Sequence, residues 1–195
     1  MNSALPFILA VLGLLAVPGP TNTLMAAAGA ARGVRRSLPL LWGELGGYAI
    51  AITVWTELVG AAATREPMIG VAAKLLAALF LLWSAYRLWS KAGTHPVDAG
   101  GITLQRVFLT TLINPKGLVF AFAIFPPVGF IERLPYLGVF AVLVVLTALG
   151  WQTLGAATAL SSRGLFTAVR VERACAVVLA VFAILLIVQT AQGFH

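Results

Sequence analysis

Charge is scarce in this sequence. Only 10% of its 195 residues are Asp, Glu, Lys or Arg, against roughly 25% in a soluble domain. There is one cysteine, Cys175, which excludes an internal disulfide and any multi-cysteine metal cage. The two histidines, His95 and His195, fall outside the apolar runs, so neither is placed for a proton relay or metal ligation at membrane depth. No stretch reads as a soluble domain, and the longest linker is the short polar segment SKAGTHPVDAGGIT at 90–103. No nucleophile–base set and no interfacial cluster of Arg with acidic residues is present, which argues against a membrane-embedded enzyme. What remains is apolar: 61% of residues are hydrophobic and the mean hydropathy is +0.99. That is the composition of a polytopic membrane protein. The formal net charge of +7 would by itself suggest nucleic acid, but the basic residues lie in short loops between apolar runs, where they orient the chain instead.

A membrane span needs about 20 apolar residues. Six stretches meet this, at about 5–31, 38–62, 69–90, 106–127, 134–160 and 174–193. The first carries no Lys or Arg ahead of its apolar run and resumes past Pro20, so it reads as a retained span and not a signal peptide. Loop one holds Arg32, Arg35 and Arg36. Loop three holds Lys91, flanked by Arg87 and Arg106, and loop five holds Arg163, Arg170 and Arg173. Loops two and four balance Arg65 with Glu66 and Arg133 with Glu132. Odd loops are therefore expected in the cytoplasm and both termini outside.

The polar linker divides a single membrane domain, 1–195, into a first half at 1–90, a linker at 91–103 and a second half at 104–195. Three spans per half means that the halves enter the membrane in opposite senses, the arithmetic of an inverted repeat. The first span of each half is interrupted by proline: PGPTNT at 18–23 and NPKG at 114–117. The expected fold is thus all-α, with six transmembrane helices as two inverted three-helix repeats, each opening with a broken helix. Matched interruptions in two halves are the best sequence pointer to a transporter's binding site.

Pro18 and Pro20 have no N–H, so the carbonyls of Leu14 and Ala16 lose their helical donors, and Pro115 does the same to Thr111. Beyond the first break the N–H groups of Thr21, Asn22 and Thr23 open a new half-helix, a position that suits a carboxylate. The freed carbonyls suit an ammonium group. A zwitterion would complement both. The other reading of each proline is a kink satisfied by neighbouring hydroxyls or water. Candidate substrate-binding residues are therefore Pro18, Gly19, Pro20, Thr21, Asn22, Asn114, Pro115, Lys116 and Tyr48.

Lys116 lies ten residues beyond Arg106, about 15 Å deep at 1.5 Å per residue. Ionisable residues at that depth are functional candidates. Glu44, about 10 Å deep on span two, can pair with Lys116 or exchange a proton. The pair Glu44 and Lys116 is the candidate coupling system. Gly43 and Gly47 beside it form GxxxG, which lets another helix approach, and Tyr48 is one turn from Glu44 on the same face. Glu57 and Lys74 sit near span ends, where side chains snorkel. Gln152 either lines a cavity or bonds across helices, and Trp83 and Trp89 read as packing or interfacial aromatics.

The segments VPGPTNTLMAAAGAARGVRRSL at 17–38 and LINPKGLVFAF at 112–122 resemble the first- and fourth-span signatures of the LysE/RhtB amino-acid exporter family. The two signatures stand about 95 residues apart, and the length and six spans are also similar. The loop after span one departs from the pattern, with Ser37 where glycine is common. The resemblance implies export of an amino acid or related small metabolite across the bacterial cytoplasmic (inner) membrane, driven by a proton or ion gradient. Pro18, Gly19, Pro20, Asn114, Pro115 and Lys116 carry over by motif. It implies no cofactor. The partners it implies are a small-molecule substrate and the lipid bilayer, with no nucleic acid; small residues permit a homodimer without requiring one. A metal-ion exporter is the competing transport reading, and it would need soft or carboxylate ligands within the membrane.

Overall fold

The computed structural model describes residues 4–90, 101–159 and 164–192. Lys91, His95, Arg163 and His195 lie outside the described residues, as do the side chains of Arg170 and Cys175. Among the described residues every regular element is helical: α1 (Ala4–Ala16), α2 (Pro20–Ser37), α3 (Leu40–Arg65), α4 (Pro67–Ser90), α5 (Leu104–Leu112), α6 (Lys116–Val119), α7 (Phe130–Ala159) and α8 (Gly164–Gln192). A π-helical turn, Phe120–Ile124, continues α6.

Among the described residues three helices, α3, α4 and α7, are long and apolar enough to cross a membrane. Two further spans arise if each bent pair is taken as one: α1 with α2, bent by 65°, and α5 with α6 and its π-turn, bent by 50°. Six spans are expected from hydropathy; the described apolar stretch of α8, Ala176–Gln192, is shorter than a full span. The expected boundaries also shift. The first run extends through α2 to Ser37, with a left-handed kink at Gly33 (φ 76°), a conformation that glycine adopts without steric cost. The fifth begins at Phe130, so Pro135 lies inside α7 rather than at its edge. As the sixth residue of α7, Pro135 has no N–H to offer the carbonyl of Ile131, a residue exposed near the start of the helix.

Helices that are apolar on all faces bury themselves in lipid. The outer surface accordingly carries Trp42, Leu58, Leu76, Tyr86, Val142 and Leu146, all well exposed. Inside, α2 packs chiefly on α7, α3 on α5 and α4 on α8. The ends of α2, α4 and the start of α5 gather Arg32, Arg35, Arg36, Arg87 and Arg106, and this is termed the basic end below.

Two of these pairings depend on the absence of side chains. On α3, a Cβ at Gly43 would stand 2.7 Å from the Leu104 carbonyl oxygen, and one at Gly47 2.8 Å from that of Phe108. The GxxxG face therefore seats α5. On α2 and α7 the approach is closer: a Cβ on Gly29 would collide with the backbone of Gln152, and one on Gly155 with the backbone of Ala26. Gln152 strengthens this crossing by donating from Nε2 to the Ser37 carbonyl (3.1 Å) and to the Met25 sulfur (3.4 Å). Of its two readings, the bond across helices is the one observed.

The half of the bundle away from the basic end is filled by aromatic rings. Phe7 of α1, Tyr48 of α3, Phe120 and Phe125 of the π-turn segment, and Tyr136 and Phe140 of α7 meet at steep ring angles, with centroids 4.8–5.6 Å apart. These are edge-to-face contacts, favoured by the ring quadrupole. At the same end Arg133 leaves its neighbour Glu132 and reaches α3. It donates to Glu57 Oε1 and Thr56 Oγ1, each at 2.6 Å, and to the Val128 carbonyl. Glu57 is thus an ion-pair partner and not simply a snorkelling end residue.

The α2–α7 contact yields a direct test. Gly155→Val inserts atoms where the Ala26 backbone already lies, and overpacking of this kind costs roughly 1–3 kcal/mol or more. Gly150→Val, on the same helix where a Cβ meets nothing within 4 Å, is the control. The apparent Tm in detergent should fall for the first variant and stay near wild type for the second.

Candidate functional site at the paired helix breaks

Both proline interruptions are real breaks, and they meet each other. Val17, Pro18 and Gly19 separate α1 from α2, and Pro20 occupies the first helical position of α2, where its missing N–H costs nothing. The end of α1 leaves carbonyls without helical partners. Asn22, itself buried, turns back and donates its amide to the carbonyls of Leu15 (2.6 Å) and Val17 (2.8 Å). Lys116 Nζ, from the other break, donates to the same Val17 carbonyl at 2.6 Å. The carbonyls that meet side-chain donors are therefore those of Leu15 and Val17, one residue on from the expected Leu14 and Ala16. The ammonium that meets the Val17 carbonyl belongs to the protein.

The second break is held in turn by the first. Asn114 Oδ1 accepts the backbone N–H of Lys116 at 3.0 Å, and Asn114 Nδ2 donates to Thr21 Oγ1 at 3.1 Å. Thr111 Oγ1 donates to the Val107 carbonyl (2.8 Å). Its one proton is thereby used, so Thr21 donates across the 3.1 Å contact to Thr111 Oγ1. Asn114, Thr21 and Thr111 form one directed chain from break to break. The Thr111 carbonyl, expected to be free, accepts the Asn114 N–H at 3.1 Å. The Thr23 N–H and hydroxyl both go to the Gly19 carbonyl (2.9 and 2.8 Å). Gly19 lets Lys116 lie close: a Cβ there would stand 3.3 Å from Lys116 Cε and 3.4 Å from its Nζ, so the lysine would have to ease away slightly.

A cavity of about 470 Å³ starts at these breaks and runs to the basic end, within the usual range of roughly 300–1,000 Å³ for small-molecule sites. One wall is Val17, Pro18, Gly19, Pro20, Thr23 and Leu24. The facing wall is α4, through Phe80, Leu81, Trp83, Ser84, Arg87 and Leu88. Asn114 and Lys116 form the inner end, and Arg106 and Leu179 complete the lining. Five of the sequence candidates are thus brought together on this lining: Pro18, Gly19, Pro20, Asn114 and Lys116. Thr21 and Asn22 stand behind it as buried supports, and Pro115 caps α6 outside it.

Tyr48 and Glu44 are not on the lining. Tyr48 is buried in the aromatic cluster, with its hydroxyl unpartnered. Glu44, 1% exposed on α3, has one carboxyl oxygen, Oε2, without a hydrogen bond. It lies within electrostatic reach of Lys116.

Sequence reasoning missed the α4 wall. Arg87 stacks over the Trp83 ring, its guanidinium carbon 4.9 Å from the ring centroid, and Phe80 packs beside it. The i, i+3, i+4, i+7 spacing of Phe80, Trp83, Ser84 and Arg87 was the available signal.

Asn22→Leu tests the mutual capping. It leaves the Leu15 carbonyl without its side-chain donor, a loss of about 1–3 kcal/mol for a buried group. The unfolding midpoint in detergent should fall clearly.

No curated protein and no solved structure matches the chain significantly. A family match does exist, spanning residues 12–190 and thus both breaks, the cavity lining and nearly every described helix. The chain belongs to the LysE type translocator family.

Proposed function

We propose that this protein is a secondary exporter that carries an amino acid or related small zwitterion out of the bacterial cytoplasm, using a proton or ion gradient. Family membership already makes it a membrane transporter for amino acids or related compounds, and not an enzyme. The observation that carries the finer reading is the cavity that ends on Pro18–Pro20, Asn114 and Lys116. Discontinuous helices that line a cavity near mid-membrane are where transporters hold substrates.

An inverted repeat is supported by the pattern of packing. The first span of each half lies on the second span of the other, α2 on α7 and α5 on α3, while the third helices, α4 and α8, lie on each other. Exchanging the halves leaves this pattern unchanged. In the proposed topology the basic end faces the cytoplasm, as its arginines favour. The cavity would then be open to the side from which an exporter loads. Cysteine variants at Ser90 and Glu132 should label from opposite sides of the membrane in intact cells; labelling of both from one side would exclude this topology.

Glu44 and Lys116 are the proposed coupling pair. Lys116 joins the two breaks through Val17, and Glu44 is buried in its field with an unpartnered oxygen. Proton transfer at Glu44 would change the charge that Lys116 experiences, and so the strength of its hold on Val17. Efflux of labelled amino acids from proteoliposomes, with and without a pH gradient, tests both claims. Wild-type protein should give gradient-dependent efflux. Lys116→Met should abolish it, and Glu44→Gln should remove its dependence on pH. An unchanged pH profile in the Glu44 variant would remove that residue from coupling.

A further inference from the structure

The cavity's chemistry narrows the substrate class. Its lining among the described residues carries three cationic side chains, Arg87, Arg106 and Lys116, and no carboxylate. Arg87 and Arg106 stand on different helices, and both are solvent-accessible at the mouth. Arg106 is steadied by its bond from Nη1 to the Gly101 carbonyl (3.3 Å), and Arg87 by the Trp83 ring. Neither is neutralised by an ion pair with a described carboxylate. Glu44, the carboxyl that acts on Lys116, lies outside the lining. The remaining surface is largely apolar: Leu24, Phe80, Leu81, Trp83, Leu88 and Leu179.

Acceptors for a substrate ammonium are correspondingly few. The carbonyls that end α1 at Leu15 and Val17 already receive Asn22 and Lys116. The Gly19 carbonyl receives both donors of Thr23. Asn114 Oδ1 receives the Lys116 N–H. A cation entering this space would meet three like charges, with the Ser84 hydroxyl and already engaged carbonyls as its acceptors, an arrangement that discriminates against it. A carboxylate would meet guanidinium donors in the geometry they favour, and an apolar body would meet the leucine and aromatic wall.

We propose that the cavity recognises a small carboxylate with an apolar body, makes no obligatory bond to an ammonium group, and excludes dibasic amino acids. The proposal rests on the exporter reading for its physiological meaning, but its chemistry can be measured separately. Four probes of matched length separate the features. Norleucine has carboxylate, ammonium and apolar chain. Lysine adds a terminal charge, hexanoate lacks the ammonium, and norleucinamide lacks the carboxylate.

Calorimetric titration of the purified full chain in detergent should give norleucine and hexanoate affinities within about tenfold of each other. Lysine and norleucinamide should bind at least about tenfold more weakly than norleucine, since each loses or opposes a charge-assisted contact. Arg87→Gln and Arg106→Gln should each weaken norleucine binding by about tenfold, and Arg87→Lys, which keeps the charge but loses the guanidinium fork and its stacking on Trp83, should recover only part of that loss. Lysine or norleucinamide binding as tightly as norleucine would overturn the proposal. So would hexanoate failing where norleucine binds, norleucine affinity insensitive to both arginine changes, or no binding of any probe.

Proteoliposome efflux of the same amino acids keeps the two readings apart. Binding in the expected order without flux would sink the exporter reading and leave the site's specificity standing. Flux of lysine in preference to norleucine would keep the exporter and overturn the substrate class.

Discussion

The Val17 carbonyl holds the site together. Two donors from opposite directions converge on it: the amide of Asn22, five residues along the same chain, and the ammonium of Lys116, ninety-nine residues away. A helix cannot end in an apolar medium without partners for its last carbonyls. Here the partner for one break is supplied by the other. The Asn114–Thr21–Thr111 chain repeats the logic in the reverse direction. Each interruption alone would be costly; Asn22 and Asn114 satisfy backbone groups within their own breaks, Lys116 and Thr21 tie the two breaks together, and the cavity begins where they touch.

That arrangement explains the asymmetry of the bundle. On one side of the breaks, aromatic rings from α1, α3, α7 and the π-turn fill the interior. On the other, α2 and α4 line opposite walls of a cavity. The glycine contacts that draw α2 onto α7 and α5 onto α3 bring helices together elsewhere, so the space between α2 and α4 is left open. Close backbone approach at two crossings and a void beside them are parts of the same packing solution.

Much of this was legible in the residues. Proline prints its missing donor directly into the sequence, so both breaks could be located, and the chain's low charge made Lys116 and Glu44 conspicuous. The identities of the capped carbonyls were not legible. A missing N–H names the carbonyl that loses a helical bond, but the bend of 65° decides which carbonyl a side chain can reach. The partner of Arg133 was hidden for a similar reason: Glu132 is adjacent in sequence, yet Glu57 is adjacent in space. The α4 wall escaped because that helix is apolar almost all round, so the spacing of Phe80, Trp83, Ser84 and Arg87 is a faint contrast between a cavity face and a lipid face. The approach of Gly29 to Gln152 and of Gly155 to Ala26 joins the two halves of the chain, and nothing local to either glycine names its partner.

The π-turn at Phe120–Ile124 fixes the length of the chain between the second break and α7. Its closing bond runs from the Phe125 N–H to the Phe120 carbonyl, 2.8 Å, across five residues instead of four. With that extra residue in place, the rings of Phe120 and Phe125 both reach Phe140. An α-helix advances about 100° per residue, so loss of a single residue from this segment would restore regular hydrogen bonding while swinging everything beyond it about a quarter-turn around the helix. Phe125 would leave the aromatic cluster, and Pro126 would meet the membrane at a different azimuth. Substitutions can be absorbed here side chain by side chain, but insertions and deletions cannot. The residue count between Asn114 and Phe130 is thus as much a determinant of this translocator as the identity of any residue within it.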